Sequence, residues 1–290
     1  MLTLFSIHYG TVPKRSGEHL NTIQRNAILS WTRLTPRPEI LLFGDKEGTA
    51  EIARELNLKH FPEVARNEFG TPLLDDLFRQ AEQHASTPFL CYVNGDIILT
   101  DDFCAALERV RAEYNRFMMV GRRWDLDWDQ PLDVSQSGWA ESIRAHAVRA
   151  NVQRPGNYID YFVYTRGLCD GLLTLAIGKP GFDNYLLWRA RSRGAELVDV
   201  SPRVVAIHQN HEPIYREHEY KRNRALIGPW WHLYTIEDAT QILDEGGLRR
   251  SRRHNWLMAK RLWSHPLTIV QLPWLTIKYL ANPEEFGHDP

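Results

Sequence analysis

The first hundred positions alternate between short apolar runs and stretches with helical spacing. Thr3–Ile7 is an apolar run that ends in His8-Tyr9-Gly10, the pattern of a buried strand. From His19 to Trp31, residues Leu20, Ile23, Ala27 and Trp31 recur on one helical face. Glu39–Phe43 predicts a second strand, stopped by Gly44-Asp45, and Thr49 to Leu56 predicts a short helix. A third strand is expected near Lys59–Phe61. Gly70-Thr71-Pro72 opens a helix from Leu73 to about His84, since proline suits a first helical turn. Pro88 to Val93 predicts a fourth strand, followed by Asn94-Gly95-Asp96. Strands separated by helices imply an α/β, Rossmann-like, mostly parallel sheet covered on both faces. Ligands of such sheets bind at the carboxyl ends of the strands, which here read His8-Tyr9-Gly10, Gly44-Asp45 and Asn94-Gly95-Asp96.

The middle of the chain is less regular. Arg116–Val120 predicts a fifth strand running into Gly121-Arg122-Arg123-Trp124-Asp125-Leu126-Asp127, and Tyr158–Tyr164 is another apolar and aromatic run. A glycine-rich loop, Gly178 to Asp183, enters a helix expected over Asn184 to Arg193. Leu197–Val200 and Val204–Ile207 predict short strands, the second ending in His208-Gln209-Asn210-His211. From Leu248 to Leu280 basic residues and three tryptophans, Trp256, Trp263 and Trp274, occur with no acid among them. This divides the chain into a sheet domain over residues 1–240 and a basic, tryptophan-bearing helical tail over 241–290.

Composition narrows the classes. With 290 residues, 43% of them hydrophobic, and ten Trp, eleven Tyr and eleven Phe, the chain has ample material for a core and is not disordered. A formal charge of −1 provides no global field for nucleic acid, and no nucleic-acid-binding signature accompanies the basic tail. Cys91, Cys104 and Cys169 have no metal-like spacing, and so sparse and odd a set favours a reducing compartment. The N-terminal MLTLFSIHYG lacks a charged region and does not read as a signal peptide. The longest apolar stretch, 267–280, is interrupted by Gln271, Pro273 and Lys278 and is too short to span a bilayer. The expected location is cytoplasmic. The tail over 249–280 either contacts an anionic inner membrane face or packs its tryptophans on the core.

Several residues have side chains suited to chemistry. Asp96, just past a buried strand, is either a ligand for Mg²⁺ or Mn²⁺ or a cap for the following turn. Asp45 either accepts an N–H from a nucleobase or serves its own turn. Asp183 is a general base, an ordinary N-cap, or both. His208 is either a metal ligand beside an aspartate or a hydrogen-bonded structural histidine, and His211 is structural or an acceptor contact. Asp125-Leu126-Asp127 follows the fifth strand, not the fourth, and lies between Trp124 and Trp128. It reads as a sugar-stacking cluster or a plain surface loop. Arg122 and Arg123 contact a diphosphate or acidic acceptor, or form a solvated pair.

Taken together, these residues resemble the GT-A nucleotide-sugar glycosyltransferases over about residues 1–215. Asn67, Gly70, a helix with Ala81, the Phe89–Val93 strand and Asn94-Gly95-Asp96 are similar to the N-x-x-G, A, strand, D-x-D layout of that superfamily. Asn94 replaces the first acid. More narrowly, YVNGDIIL, VGRRWDLDW, IDYFVYTRG, GKPGFDNYLLWRA and IHQNH resemble a bacterial and plant group of nucleotide-diphospho-sugar transferase-like proteins. The resemblance implies that Asp96 and His208 hold Mn²⁺ or Mg²⁺. It also implies that Asp45, with the backbone from His8 and Tyr9 to Thr11, seats the nucleotide, and that Asp183 is the base of an inverting transfer. Asn67, Gly70, Asn94 and Gly95 belong to the donor site. Asp160, His211 and the Trp124–Trp128 loop are candidates for sugar or acceptor contact.

The expected function is therefore sugar transfer from a nucleoside diphosphate sugar to a glycan or other hydroxyl acceptor. Three alternatives stand beside it. A sugar-1-phosphate nucleotidyltransferase would need a glycine-rich basic loop after the first strand, where HYGTVPKRSGEH has only Gly10 and Gly17. A non-catalytic sugar binder is kept open by Asn94. A zinc hydrolase would use His208 and His211.

Overall fold

The computed structural model describes residues 1–7, 17–179, 181–211, 217–227 and 234–251. Its strands are β1 (Leu2–Ile7), β2 (Glu39–Phe43), β3 (Lys59–Phe61), β4 (Phe89–Val93), β5 (Ile97–Ile98) and β6 (Phe117–Val120). They continue with β7 (Arg123–Leu126), β8 (Tyr161–Thr165), β9 (Glu196–Asp199), β10 (Ala206–Gln209), β11 (Gln241–Asp244) and β12 (Gly247–Arg250). The helices are α1 (Gly17–Thr32), α2 (Thr49–Glu55), α3 (Leu74–His84), α4 (Asp101–Glu113), α5 (Trp139–Ala150), α6 (Phe182–Ser192) and α7 (Glu217–Ile227).

Nine strands form one sheet in the order β12-β11-β9-β6-β8-β4-β1-β2-β3. β1 pairs in parallel with β2 and β4, β2 with β3, and β9 with β6 and β11. β8 runs antiparallel between β4 and β6, and β12 is antiparallel to β11. The central strands are buried on both faces, which explains their largely apolar runs; the buried Ser6 of β1 donates to the Val93 carbonyl. Alternate side chains serve separate cores. Phe5, Ile7, Leu90 and Tyr92 join the core under α3 and α6, whereas Leu4, Cys91 and Val93 join the core under α1 and α4. On α3, Leu74, Leu77, Phe78 and Ala81 supply the buried stripe, and Phe78 meets the edge of Phe5 with ring centroids 5.0 Å apart.

A second, three-stranded sheet, β5-β10-β7, rests on its own cluster of Ile98, Leu126, Leu132, Ile143, Ala147 and Ile207. β10 is antiparallel to β5 and parallel to β7. Trp31, fully buried at the end of α1, donates its indole N–H to the Ile97 carbonyl at 2.8 Å and ties this sheet to the main domain.

Two expectations are corrected here. Residues 241–250 form a hairpin on the edge of the large sheet rather than helical tail, so the sheet domain extends past 240. Burial alternates along Gln241-Ile242-Leu243-Asp244, with Gln241 and Leu243 turned inward. Arg123–Leu126 is a strand of the small sheet rather than a loop, so the Asp125-Leu126-Asp127 motif begins inside a sheet. The tail from residue 252 onward lies outside the described residues, as do His8, Tyr9 and Thr11. Among the described residues, no helix is long and apolar enough to cross a membrane, and Cys91, Cys104 and Cys169 are buried free thiols.

Candidate functional site

The parallel register places several strand ends along one edge. Ile7 pairs with Phe43, and Phe5 with Tyr92, so the carboxyl ends of β1, β2 and β4 lie side by side. β8 is antiparallel to β4 with Val93 opposite Tyr161, so Asp160, just before β8, reaches the same edge. Gly95 lies against the end of β1, where an added Cβ would stand 3.5 Å from the Ile7 carbonyl oxygen.

The small sheet adds the histidines. His208 is paired in register with Ile97 on one side and with Asp125 on the other, so Asp96, His208 and Asp125 meet across three strands. Asp96 Oδ2 lies 3.0 Å from His211 Nε2 and 3.7 Å from His208 Nε2. One ligand atom from each of Asp96, His208 and His211 falls within 4.8 Å of the others, a spacing that suits a shared metal ion. Asp96 and His208 are buried and His211 is partly buried. The other Asp96 oxygen, Oδ1, is buried and has no hydrogen-bond partner among the described residues. A buried carboxylate oxygen in that state is costly unless a ligand completes it. The donor set, one carboxylate and two imidazoles, fits a divalent transition metal. Burial alone would raise the Asp96 carboxyl, but the His211 contact and the nearby His208 and Arg123 hold it below its ordinary value.

Buried polar groups fix this cluster from behind. Gln209, fully buried, donates to the backbone carbonyls of Asp96 (3.1 Å) and Ile23 (2.9 Å) and accepts from Asn26 Nδ2 (2.9 Å). Asn94 does not face an open cleft. Its Nδ2 donates to Asp160 Oδ1 at 2.6 Å, its Oδ1 accepts from the Tyr92 hydroxyl at 2.9 Å, and its backbone N–H donates to the Asp160 carbonyl at 2.9 Å. Asp160 Oδ2 accepts from Arg123 at 3.0 Å, and Arg123 Nε also donates to Asp125 at 2.9 Å. Burial pushes the Asp160 carboxyl up, Arg123 opposes that, and the charge on Asp96 adds to it. Asp125 is held well below the usual carboxylate range. Its burial is outweighed by His208, Arg123 and Arg154.

Asp183 sits at the start of α6. The helix opens at Phe182, two residues before the expected start, so Gly181 takes the cap position with φ 104° and Asp183 lies inside the first turn. Its Oδ1 still accepts backbone N–H groups, from Asn184 at 2.9 Å and Gly181 at 3.2 Å. Burial pushes its carboxyl up to about 6 against those hydrogen bonds, and the charge on Asp160 adds to the rise. Asp160 thus feels the charge of Asp96, and Asp183 feels that of Asp160.

The remaining candidates are placed differently. Asp45 is exposed and paired with Arg66 at 2.8 Å, beside an open depression that Asp76 and Arg79 also line. Asn67 accepts from the Phe69 and Thr71 N–H groups and, with Gly70 at φ 77°, closes its own turn. Arg122 pairs with Glu237 at 2.6 Å, away from a solvated role. Trp124 and Trp128 pack on the core of the small sheet, with their indole nitrogens buried, rather than presenting an open stacking face. Asp127 accepts from Asn210 at 2.7 Å. The sequence reading assigned no role to Gln209, Asn26 or Arg154. Gln209 and Asn26 are uncharged and lack a motif, and only their burial reveals them.

A mixed α/β sheet with a carboxylate–imidazole cluster at its carboxyl edge is the class the coordinates define. Its solved structural neighbours are nucleotide-sugar proteins. The chain is similar to Staphylococcus aureus TarS residues 1–349 in complex with UDP-GlcNAc, with 12% identity and TM-score 0.48 over 78% of this chain. It is similar to the mannosyltransferase PcManGT of Pyrobaculum calidifontis in complex with GDP-Man and Mn²⁺, with 13% identity and TM-score 0.45 over 81% of this chain and 62% of that one. It is also similar to glucosyl-3-phosphoglycerate synthase of Mycobacterium tuberculosis in complex with Mn²⁺, UDP and phosphoglyceric acid, with 12% identity and TM-score 0.46 over 78% of this chain and 76% of that one. The chain spans 65%, 38% and 64% of the lengths of the TarS chains it matches. No family model matches the chain, and no curated protein matches it in sequence.

Proposed function

We propose that the protein transfers a sugar from a nucleoside diphosphate sugar to a hydroxyl acceptor, with a divalent metal held by Asp96, His208 and His211. The observation that carries this reading is the meeting of Asp96 with two histidines more than a hundred positions away, with Asp96 Oδ1 unpartnered among the described residues. The residues that resemble the GT-A enzymes supply the reaction class. When bound, the metal supplies Lewis-acid stabilisation of the negative charge that builds on the departing diphosphate. Asp96 and the two imidazoles would hold that ion, and Gln209 keeps the Asp96 backbone in place. Asp183, with a carboxyl poised near 6, takes the proton from the acceptor hydroxyl. A distinct base on the acceptor side makes the transfer inverting. Asn94 acts through Asp160, not as a metal-ligating acid.

Calorimetry with UDP and GDP, with and without Mn²⁺, tests the reading. Nucleotide binding is expected to strengthen with Mn²⁺. Asp96→Ala should weaken Mn²⁺ binding by more than the roughly 100-fold that loss of an outer-shell partner brings. Metal-independent nucleotide binding in both proteins would remove the metal assignment. The two imidazoles favour a second reading, a zinc hydrolase. Metal analysis of the purified protein separates the two, since stoichiometric zinc without nucleotide-sugar binding selects the hydrolase.

A further inference from the structure

Asp125 has no place in the mechanism above, yet it stands directly behind one of its histidines. β7 and β10 run parallel with Asp125 opposite His208, and cross-strand partners of this kind put their side chains on one face. Asp125 Oδ1 lies 3.3 Å from His208 Nδ1, while His208 Nε2, the other ring nitrogen, faces Asp96. The His208 Nδ1 is buried, and among the described residues no other group makes a hydrogen bond to it. The Asp125 contact itself is close but misaligned. The carboxylate does not stray from this position. It is buried, its Oδ1 accepts from Arg123 Nε at 2.9 Å, and its Oδ2 accepts from Arg154 Nε. Arg123 is anchored in turn by Asp160, and both guanidiniums lie over the Tyr158 ring, at 5.1 and 5.3 Å from its centroid.

We propose that Asp125 is the positioning residue of His208: its fixed carboxylate holds the proton of the neutral imidazole on Nδ1 and so turns the Nε2 lone pair toward Asp96. An imidazole has two nitrogens, and the partner of one decides which is free to bind a metal. Carboxylates that accept from the remote nitrogen of a ligating histidine set its tautomer and ring orientation, and their loss typically costs about 10–100-fold in metal affinity. The Asp125-Leu126-Asp127 stretch therefore serves the metal site from behind His208, in place of a sugar-stacking or free surface role for Asp125. The inference rests on the reading of Asp96 and His208 as metal ligands.

The test has two parts that fail separately. Nitrogen NMR of ¹⁵N-histidine-labelled, metal-free protein, with His208 assigned through His208→Gln, should show the neutral ring protonated on Nδ1. Asp125→Asn should shift that population toward the Nε2-protonated form. A wild-type ring protonated on Nε2 overturns the proposal without any variant. In the second part, Mn²⁺ titrations followed by electron paramagnetic resonance should show Asp125→Asn weakening binding about 10–100-fold. The same change should add little in a His208→Ala background. Equal losses in both backgrounds would make Asp125 a general structural residue and reject the proposal. Undiminished Mn²⁺ binding in His208→Ala alone would instead remove the metal reading of that histidine, whatever the tautomer.

Discussion

The two sheets treat their polar residues in opposite ways. Along the β2–β3 edge of the large sheet, Asp45 pairs with Arg66 in the open, and Asn67 spends its side chain on its own turn. These groups are satisfied locally, and water shares them. In the small sheet, Asp96, Asp125, His208 and Gln209 are buried, linked to one another across strands, and one Asp96 oxygen is left over. Exposed polarity costs little and needs no ligand. Buried polarity is retained only where its partners, or a ligand, repay desolvation. The difference sets the buried, cross-linked cluster at the small sheet apart from the locally satisfied groups of the β2–β3 edge.

The sharpest way to break this contrast is at Asp183, whose partly buried carboxyl on α6 feels the charge of Asp160. Asp183→Asn should lower turnover about 10²–10⁴-fold while nucleotide-sugar binding persists, read from kcat and calorimetry. Unchanged turnover would separate Asp183 from the reaction. The wild-type rate should rise with pH along a limb near 6, because only the deprotonated form accepts the hydroxyl proton. Stability should move the other way. A carboxyl raised by folding binds its proton more tightly in the native state. Its contribution is complete below the ordinary carboxylate range and is lost as pH rises through about 6. Thermal melts should therefore show Asp183→Asn gaining on wild type at pH 8 and losing that advantage toward pH 4.

A smaller effect is expected at Gln209. Gln209→Leu removes the three buried side-chain hydrogen bonds to Asn26 Nδ2 and to the Asp96 and Ile23 carbonyls, which should cost about 1–3 kcal/mol in urea unfolding. Arg66→Ala, at the exposed edge, should cost no more than about 1 kcal/mol by the same measurement, since surface pairs contribute little. Equal losses for the two variants would erase the distinction between the sheets.

Local patterning alone specified much of this protein. The runs Thr3–Ile7, Glu39–Phe43 and Phe89–Val93 and the α3 stripe are legible because a strand buried on both faces must be largely apolar and a packed helix must repeat every three to four residues. Asp96 and His208 were legible as well, since polar residues directly after apolar runs mark strand ends. The role of Asp125 was not, because its strand is only four residues long and alternates too briefly to stand out from a loop. Nor could the chain order show that His208 lies between Asp96 and Asp125, that Asn94 is bound to Asp160, or that residues 241–250 close the sheet edge. The related Asp96–His211 contact joins positions 115 residues apart. Period and propensity are properties of neighbours in the chain, whereas strand register and the burial of a charge exist only once distant segments have packed together.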